Sequence, residues 1–442
     1  MHVVQKMEQA VYLIDLHLYK HSINMRMFLK QDIELSVKYT TTSLFLGNRV
    51  SLFVFIILFA CSCQESGVNK KIVKSQDGYL IHPVSPENTV VLSSNQLSDL
   101  KFIPLEATDN SYVTDIAKLE RDTTTGFWYI LDRNNPSVIC VFNGEGKFIK
   151  NIKYLGRGPG EYQRINDFYI SDGNWIEFLE GETQKIIRYD LKNDSLITEK
   201  KIPFYAYNYS YLENGNYVFY KNSQAKNQED EKYFYRLLVT DTDFNLIRTG
   251  LPFELELGVN ISIMNPNALT RTSGGLTFNQ FNADTLYSIY EDTIKINHVL
   301  DFGDYVVPDP DDMEFSSGSE KLRYYFSKTD KHIIGVHQIK ETKDFFSFNF
   351  IYNDDAFLYM YDKTSNDYFV ASRIDFNDKN VFFPPPVNYL DSTFISIYTV
   401  DMLNEKVSID NLDINNQYEK SLAYGIEYQN PVLVTYKINP NQ

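Results

Sequence analysis

The stretch Gly156-Arg157-Gly158-Pro159-Gly160-Glu161-Tyr162 separates two segments of the chain that repeat one another. Its glycines can adopt a positive φ without steric cost, and Pro159 restricts the backbone of its neighbour. A phosphate-binding loop would need Gly-Lys-Ser/Thr leading into a helix. Here the residues that follow have the pattern of a strand, with apolar side chains at Ile165, Phe168 and Ile170. The stretch is therefore predicted to be a tight crossing between two units of β-sheet.

The two flanking segments are copies of one sheet unit. Residues 127–132 have their counterpart 48 residues later, at 175–180, and residues 146–150 have theirs at 194–198 with the same offset. Asn-Gly and Asp-Gly pairs suit the type I′ turns of hairpins, because both central positions need a positive φ. Such pairs occur at Asn143-Gly144, Asp172-Gly173 and Asn214-Gly215. Repeats of about 50 residues with about four short strands each indicate a β-propeller.

Weaker copies of the unit continue to the C-terminus. Residues 286–302 predict a fourth blade, residues 345–376 a fifth, and residues 393–402 with 432–438 a sixth. The alternative architecture is a β-sandwich followed by a second β domain. A constant offset between copies argues against that alternative, because sandwiches do not repeat internally in this way.

The predicted fold is an all-β, six-bladed β-propeller with a short helical insertion between blades four and five. The insertion covers residues 303–342 and carries a predicted helix from Ser319. A strand at residues 89–92 is expected to close the ring beside residues 432–436, since an open ring would leave a free sheet edge.

The composition agrees with a strand-rich fold. The chain has 33 Tyr and 31 Phe in 442 residues, and aromatic rings pack well on a pleated surface. Its formal net charge of -16 repels phosphate backbones, so no nucleic-acid partner is predicted. The histidines lack metal-ligand spacing, and the acidic loop with Asp309, Asp311 and Asp312 lacks the glycine of a calcium loop. No metal site and no cofactor is predicted.

The N-terminal region has the layout of an export signal. An apolar run at residues 51–60 follows Arg49 and ends at Cys61. A helix of about ten residues rises about 15 Å, half a bilayer, so a membrane-spanning helix is not expected. Leu58-Phe59-Ala60-Cys61 resembles a bacterial lipobox, in which the cysteine sulfur carries a diacylglycerol, and Cys63 offers a poorer second frame. We expect a lipid anchor at Cys61 or Cys63, with a cleaved secretory signal as the alternative.

These features divide the chain into four parts. Residues 1–48 lie far upstream of the apolar run, and we interpret them as a leader absent from the mature protein or as a mis-assigned start. Residues 49–63 form the lipoprotein signal, residues 64–84 a polar tether, and residues 85–438 the propeller.

Several short motifs resemble a family of six-bladed, NHL-like β-propeller lipoproteins from gut anaerobic Gram-negative bacteria. They are Phe102-Ile-Pro-Leu-Glu106, the stretch at 156–162, Asn282-Ala-Asp-Thr-Leu-Tyr287 and Asn430-Pro-Val-Leu-Val434. The resemblance covers about residues 85–438, although Asn282-Ala283-Asp284 has one residue more than the usual Asn-Asp-Thr. It implies a propeller fold and an outer-membrane lipoprotein that faces the periplasm or the outside. It implies no activity.

Two groups of side chains are candidate binding residues. Arg157 and Glu161 lie in the glycine-rich crossing, where they would face one end of the ring or its channel; the alternative for Arg157 is a structural ion pair. Four tyrosines alternate along a predicted strand and would share one face, namely Tyr205, Tyr207, Tyr209 and Tyr211. They would form either a platform for stacking sugars or the aromatic packing between two blades. Cys140 is predicted to be a small core residue.

The sequence predicts a non-enzymatic, lipid-anchored propeller that binds a glycan or an envelope protein. The alternative is a lyase or hydrolase acting on a carbohydrate or peptide, with acids, arginines and tyrosines in the central channel. Propellers support both roles, and the sequence contains no GxSxG motif or histidine cluster that would decide between them.

Overall fold

The computed structural model describes most of the chain after residue 70. The described residues are 71–87, 89–134, 137–171, 173–222, 230–253, 267–273, 275–281, 283–308, 318–375, 384–390, 393–408, 412–413 and 415–439. Residues 71–318 and 322–442 form one compact unit. The predicted leader, the signal with Cys61 and Cys63, the first part of the tether and the acidic loop at residues 309–312 lie outside the described residues.

Six sheets, each built on four antiparallel strands, follow one another along this part of the chain and form the blades of a propeller. Blades one to three contain the strands Ile116–Arg121, Trp128–Asp132, Val138–Phe142 and Phe148–Ile152; Ile165–Ser171, Trp175–Glu180, Lys185–Asp190 and Ser195–Lys201; and Asn208–Tyr211, Tyr217–Tyr220, Tyr235–Thr240 and Leu246–Pro252. Blades four to six contain Leu269–Thr272, Gly275–Phe278, Thr285–Ile289 and Ile294–Asp301; Ile334–Glu341, Phe345–Tyr352, Asp355–Asp362 and Asp367–Asp375; and Asn388–Leu390, Thr393–Tyr398, Val432–Ile438 and Leu97–Pro104. The first strand given for each blade is its inner strand. Inner strands contact one another between blades two and three, three and four, four and five, and six and one. The predicted six-bladed fold is confirmed.

The hydrophobic core is divided into six clusters, one between each pair of neighbouring blades. Each cluster is rich in large rings; Phe168 and Phe178, for example, fill the space between blades one and two. A fully buried side chain of this size contributes roughly 1.5–3 kcal/mol. The high content of Tyr and Phe therefore serves the contacts between blades, because twisted sheets packed face to face leave wide gaps for side chains to fill.

Buried asparagines on blades two, four and five donate hydrogen bonds to backbone carbonyls of residues that lead into or begin the following blade. Asn166 donates to the carbonyl of Ala206 at 3.0 Å, Asn279 to that of Val336 at 2.9 Å, and Asn349 to that of Pro386 at 2.8 Å. An amide side chain satisfies a backbone carbonyl that no sheet ladder reaches, and a carbonyl left unpaired there would cost roughly 1–3 kcal/mol.

The ring is closed by a strand from the N-terminal side. Leu97–Pro104 pairs antiparallel with Val432–Ile438 and forms the outer strand of blade six. The closure expected from residues 89–92 is wrong, because Thr89–Ser93 instead pairs in parallel with the outer strand of blade five, Asp367–Asp375.

The preceding residues extend blade four in the same way. Leu80–Pro83 pairs in parallel with Ile294–Asp301, and Val73–Lys74 pairs with Leu80–Pro83. These two strands fall inside the predicted tether at residues 64–84, so the propeller begins before residue 85. The segment from residue 73 to residue 104 thus adds strands to blades four, five and six in turn.

Three helices and three short 3-10 turns complete the described chain. The helix Gly318–Phe326 lies between blades four and five, as predicted, and Val400–Lys406 and Gln417–Tyr428 lie between the second and third strands of blade six. The strand expected at residues 393–402 ends at Tyr398, because the Thr399 hydroxyl accepts a bond from the Met402 backbone at 3.3 Å and caps a helix there. The 3-10 turns are Ser94–Gln96, Glu231–Tyr233 and Gly303–Tyr305.

Candidate functional site

A cleft of about 350 Å³ lies between blades two and three and reaches the inner strand of blade four. This volume lies in the range of small-molecule sites. The cleft extends from the inner strand to the outer strand of blade two. Its lining residues are Tyr169, Trp175, Ile186, Arg188, Thr198, Lys200, Tyr211, Gly215, Tyr217, Thr242, Phe244 and Arg271.

A buried carboxylate holds the wall of the cleft in place. Glu177 is fully buried on the second strand of blade two. Its carboxylate accepts hydrogen bonds from Arg188 Nη2 at 2.8 Å and from Arg188 Nε at 2.9 Å. It also accepts bonds from the hydroxyls of Tyr211 and, at 3.2 Å, Tyr217, both on blade three. Burial raises the pKa of Glu177, and the charge of Arg188 opposes that rise. The pair therefore fixes the arginine and two tyrosines in one orientation across the joint between the blades.

Three half-buried rings form the aromatic surface of the cleft. The ring centroids of Tyr169 and Trp175 are 5.6 Å apart, those of Tyr169 and Tyr211 are 5.2 Å apart, and the Trp175–Tyr211 pair is edge-on at 6.4 Å. The guanidinium of Arg188 lies 4.0 Å from the centroid of the Trp175 ring. Because Arg188 occupies one face of Trp175, the surface open to a ligand is the exposed remainder of the three rings, which lose little side-chain freedom when it binds.

The charge of the cleft is opposite in sign to that of the whole chain. Among the described residues that line it, Arg188, Lys200 and Arg271 are cationic and none is acidic. Lys200 donates to the carbonyl of Thr242 at 3.0 Å and to Asp243 at 2.7 Å. Arg271 is exposed and lies 5.5 Å from the centroid of the Tyr169 ring. The cleft is thus an aromatic and cationic surface on an acidic protein.

The glycine-rich stretch connects the outer strand of blade one to the inner strand of blade two, as predicted. Gly160 has φ 77° and is buried, whereas Gly158 has no positive φ. The Glu161 carboxylate accepts the backbone N–H of Gly158 at 2.7 Å, and Lys185 donates to the Glu161 carbonyl at 2.9 Å. These contacts hold the crossing together from within.

The candidate residues Arg157 and Glu161 do not line the cleft. Arg157 is exposed and donates from Nε to Gln163 at 3.2 Å, and among the described residues it forms no ion pair. The structural ion pair weighed for Arg157 is therefore absent from the described part of the chain. A binding role for either residue stays a prediction.

The four candidate tyrosines do not share one face. The strand begins only at Asn208, so Tyr205 and Tyr207 lie in the segment before it. Tyr207 packs between blades three and four and accepts a bond from Arg133 at 2.7 Å, whereas Tyr209 packs between blades two and three. Tyr211 is the member of the group that reaches the cleft. The strict alternation assumed from sequence fails because a strand of four residues is too short to carry it.

The central channel, which would hold the site of the enzymatic alternative, contains charged side chains that join inner strands. Lys118 Nζ on blade one donates to Asp167 on blade two at 2.8 Å, and Lys340 Nζ on blade five donates to Asn388 on blade six at 3.0 Å. Burial lowers the pKa of Lys340 to about 8; the charge of Glu120 opposes this shift and that of Lys118 adds to it. Lys340 is the channel group that best suits the enzymatic alternative, but its described contact is a structural one between blades.

The residues that organise the cleft were not identified from the sequence, although one signal was present. Glu177 and Arg188 lie in strands joined by the turn at residues 181–184, and the regular pairing across that hairpin places them opposite each other. Opposite charges at facing positions, each flanked by apolar residues, indicate a cross-strand ion pair. Arg271 carries no such signal, because it comes from another blade.

The remaining predictions concern the burial of Cys140, metal-binding side chains and membrane-spanning helices. Cys140 is buried in the core between blades six and one, as predicted, and burial raises the pKa of its thiol to about 12. Within the described residues, no group of three or more His, Cys, Asp and Glu side chains could hold a metal ion. No helix in the described part of the chain combines the length and the apolar character needed to cross a bilayer.

The chain belongs to the family described as a domain of unknown function, DUF4934, which it matches over residues 81–437. The match begins at the strand that extends blade four and ends in Val432–Ile438, the third strand of blade six, so it spans the propeller. No curated protein matches the sequence.

Among solved structures, the chain is similar to a protein of Bacteroides fragilis NCTC 9343 that is provisionally described as exported. The two share 20% identity with a TM-score of 0.64, covering 81% of this chain and 99% of that one. A virginiamycin B lyase from Staphylococcus aureus matches at 14% identity with a TM-score of 0.35, over 67% of this chain and 80% of that chain. The first likeness supports the fold, and the second is too weak to bear on function.

Proposed function

We propose that this protein is a lipid-anchored propeller of the cell envelope whose cleft between blades two and three binds a glycan. The apolar run before Cys61 and Cys63 supports export and anchoring at one of these cysteines, on the outer membrane, with residues 1–48 absent from the mature protein. The similar exported Bacteroides protein agrees with a location outside the cytoplasm. The cleft supports the binding role.

The observation that carries the glycan proposal is the aromatic surface of Tyr169, Trp175 and Tyr211. Sugar rings present C–H groups on their faces and hydroxyls at their edges, so flat aromatic side chains flanked by hydrogen-bonding groups suit them. The Glu177–Arg188 pair keeps these rings in place before a ligand arrives. A pre-formed surface lowers the entropy lost on binding.

A glycan fits the cleft better than a folded protein partner does. A stable protein interface buries roughly 800 Å² on each side, and a cleft of about 350 Å³ instead accommodates a few sugar rings. Its extension from the inner to the outer strands of blade two favours an oligosaccharide over a single sugar.

Tryptophan fluorescence tests the proposal at the site itself. The chain has 2 tryptophans, and because Trp128 is fully buried between blades six and one, a ligand in the cleft should change the emission of Trp175. We expect a saturable change with oligosaccharides from a panel of neutral and acidic glycans. Trp175→Ala should weaken binding, measured by calorimetry, by at least about tenfold, which is 1.4 kcal/mol.

The control is Tyr112→Ala, which removes an exposed aromatic side chain outside the cleft and should leave affinity unchanged. If no member of the panel produces heat or a fluorescence change, or if Trp175→Ala binds as tightly as the natural protein, the glycan proposal is wrong.

A further inference from the structure

We infer that the ligand of the cleft carries an oxyanion, a carboxylate or a sulfate ester on a sugar, and that Arg271 is the residue that selects it. This inference rests on the proposed glycan binding and specifies the chemical class of the glycan. The three cationic side chains of the cleft differ in whether they have an acidic partner within the protein.

Two of these cations already have partners within the protein. Arg188 is neutralised by the buried carboxylate of Glu177, and Lys200 is paired with Asp243. Each of these pairs spans from one element to another and so has a structural purpose. The charge that remains for a ligand is that of Arg271.

Arg271 is placed as a binding side chain. It comes from the inner strand of blade four, is exposed, and reaches over the ring of Tyr169 on blade two. Within the described residues it forms no ion pair or hydrogen bond, and the lining around it contains no acidic side chain. The aromatic ring restrains the guanidinium while its planar set of N–H donors stays available, and this geometry matches the two oxygens of a carboxylate or sulfate.

The net charge of the protein limits where an acidic glycan can bind. A chain with a net charge of -16 repels anionic polymers at long range, so an acidic glycan would bind only where local cations outweigh that field. The cleft provides such a position at Arg271, the one of its three cations that has no acidic partner among the described residues. We therefore infer that one acidic sugar sits beside Arg271 while its neighbours lie along Trp175 and Tyr211.

Matched ligands test the inference. The first pair is an oligogalacturonide and its methyl ester, which share a backbone and differ in charge; the second is a sulfated galactan oligosaccharide and its desulfated form. We expect at least one acidic member to bind about tenfold or more tightly than its neutral partner at low ionic strength. The advantage should shrink as salt is added, because exposed charges are screened.

Three variants test whether Arg271 causes the preference for the acidic ligand. Arg271→Gln should bring the acidic and neutral members of the pair to within about twofold of each other, chiefly because the acidic member binds more weakly. Arg271→Lys should keep part of the preference, since it keeps the charge but loses the planar donors. Lys192→Gln, which removes an exposed cation of the same region outside the cleft, should keep all of it.

The outcomes separate this inference from the proposal beneath it. Equal binding of acidic and neutral members, or an undiminished preference in Arg271→Gln, overturns the selection by Arg271 and leaves glycan binding intact. Binding of none of the four ligands, and of no other glycan, overturns both.

Discussion

At the scale of single residues, the joint between blades one and two depends on Gly160. Its φ of 77° lies in the left-handed region, and a β-carbon there would come within 2.6 Å of the Tyr189 hydroxyl and 3.2 Å of a Leu196 methyl group. Its carbonyl accepts a bond from Tyr189, and its N–H donates to Glu199. Gly158, two positions earlier, has neither the positive φ nor a rigid neighbour, since the nearest atom to its β-carbon is the flexible carboxylate of Glu161 at 3.1 Å.

Gly160→Ala is therefore expected to destabilise the protein, whereas Gly158→Ala is not. Backbone strain of this kind costs roughly 1–3 kcal/mol, and the displaced Tyr189 adds to it. We expect Gly158→Ala to change stability by no more than about 0.5 kcal/mol. Thermal melts of both variants, followed by circular dichroism, make the comparison. Equal melting temperatures for the two variants would show that the crossing does not depend on a left-handed residue.

The sequence identified this crossing but not the residue within it that matters. Three glycines within five positions predicted positive φ. Gly160 has a φ of 77° in the left-handed region, Gly156 has the nearly extended value of 158°, and Gly158 has no positive φ. The distinction depends on where Tyr189 lies, and Tyr189 belongs to the third strand of the next blade. Local composition cannot place a side chain that packs from another strand.

At the scale of elements, the strand Leu80–Pro83 is attached to the ring by a buried histidine. His82 Nε2 lies 2.9 Å from His298 Nδ1 on blade four, and His82 Nδ1 lies 3.2 Å from the Tyr359 hydroxyl on blade five. His298 continues to Glu341 at 3.4 Å, and Lys363 donates to Glu341 at 2.8 Å. The added strand is thus connected to two blades through side chains as well as through its backbone.

Burial, together with the charges of His298 and Lys363 and against the opposing charge of Glu341, lowers the pKa of His82 to about 3. A histidine whose folded pKa lies below its unfolded value of 6.5 takes up its proton only on unfolding. Stability is therefore complete above pH 6.5 and falls as the pH drops from 6.5 towards 3, by about 1.4 kcal/mol per pH unit.

We predict that His82→Gln removes this slope. Between pH 6.5 and pH 4.5, the natural protein should lose about 2–3 kcal/mol more than the variant, measured by urea unfolding at each pH. Glu341 does not confuse the comparison: burial would raise its pKa, but the bonds from His298 and Lys363 lower it to about 2, so its own effect begins at lower pH.

Tyr359→Phe provides the control, because it removes the hydroxyl next to His82 and no group that titrates in this range. It should lower stability equally at both pH values. The same slope in His82→Gln as in the natural protein would show that another group is responsible for the acid sensitivity.

The N-terminal strands show why the end of the tether could not be predicted. Leu80–Pro83 has four residues and no alternating pattern, and its partner histidine lies 216 residues further along the chain. The repeat that identified the blades is a short-range signal, visible because successive strands of a blade pair with one another. Strands that attach to a distant blade lie outside that repeat.

At the scale of the whole molecule, closure of the ring joins the two ends of the described chain. Asn430, before the last strand, donates to the carbonyls of Leu105 and Ser111 at 3.2 Å each and accepts the N–H of Val113 at 3.1 Å. The segment from residue 73 to residue 104 covers the outer edges of blades four to six on its way to this point. The cleft is likewise a property of the closed ring, since blades two, three and four all contribute to it, and a sequence read one repeat at a time does not reveal it.

The attachment of this ring to a membrane is the last expectation that can be tested. The apolar run at residues 51–60 ends at Cys61, with Cys63 two positions later, and only a thiol can carry the diacylglycerol. We predict that labelled palmitate enters the natural protein and that Cys61→Ala strongly reduces the label. Cys61→Ala with Cys63→Ala should abolish the label and release the protein into the soluble fraction, because the polypeptide then keeps no lipid chain to hold it at the bilayer.

Cys140→Ala is the matched control, since this thiol is buried between blades and should have no part in acylation. Mass spectrometry of the membrane form should find no peptide from residues 1–48. Label in the double variant, or none in the natural protein, would show that the chain is exported without a lipid anchor or held at the membrane by other means.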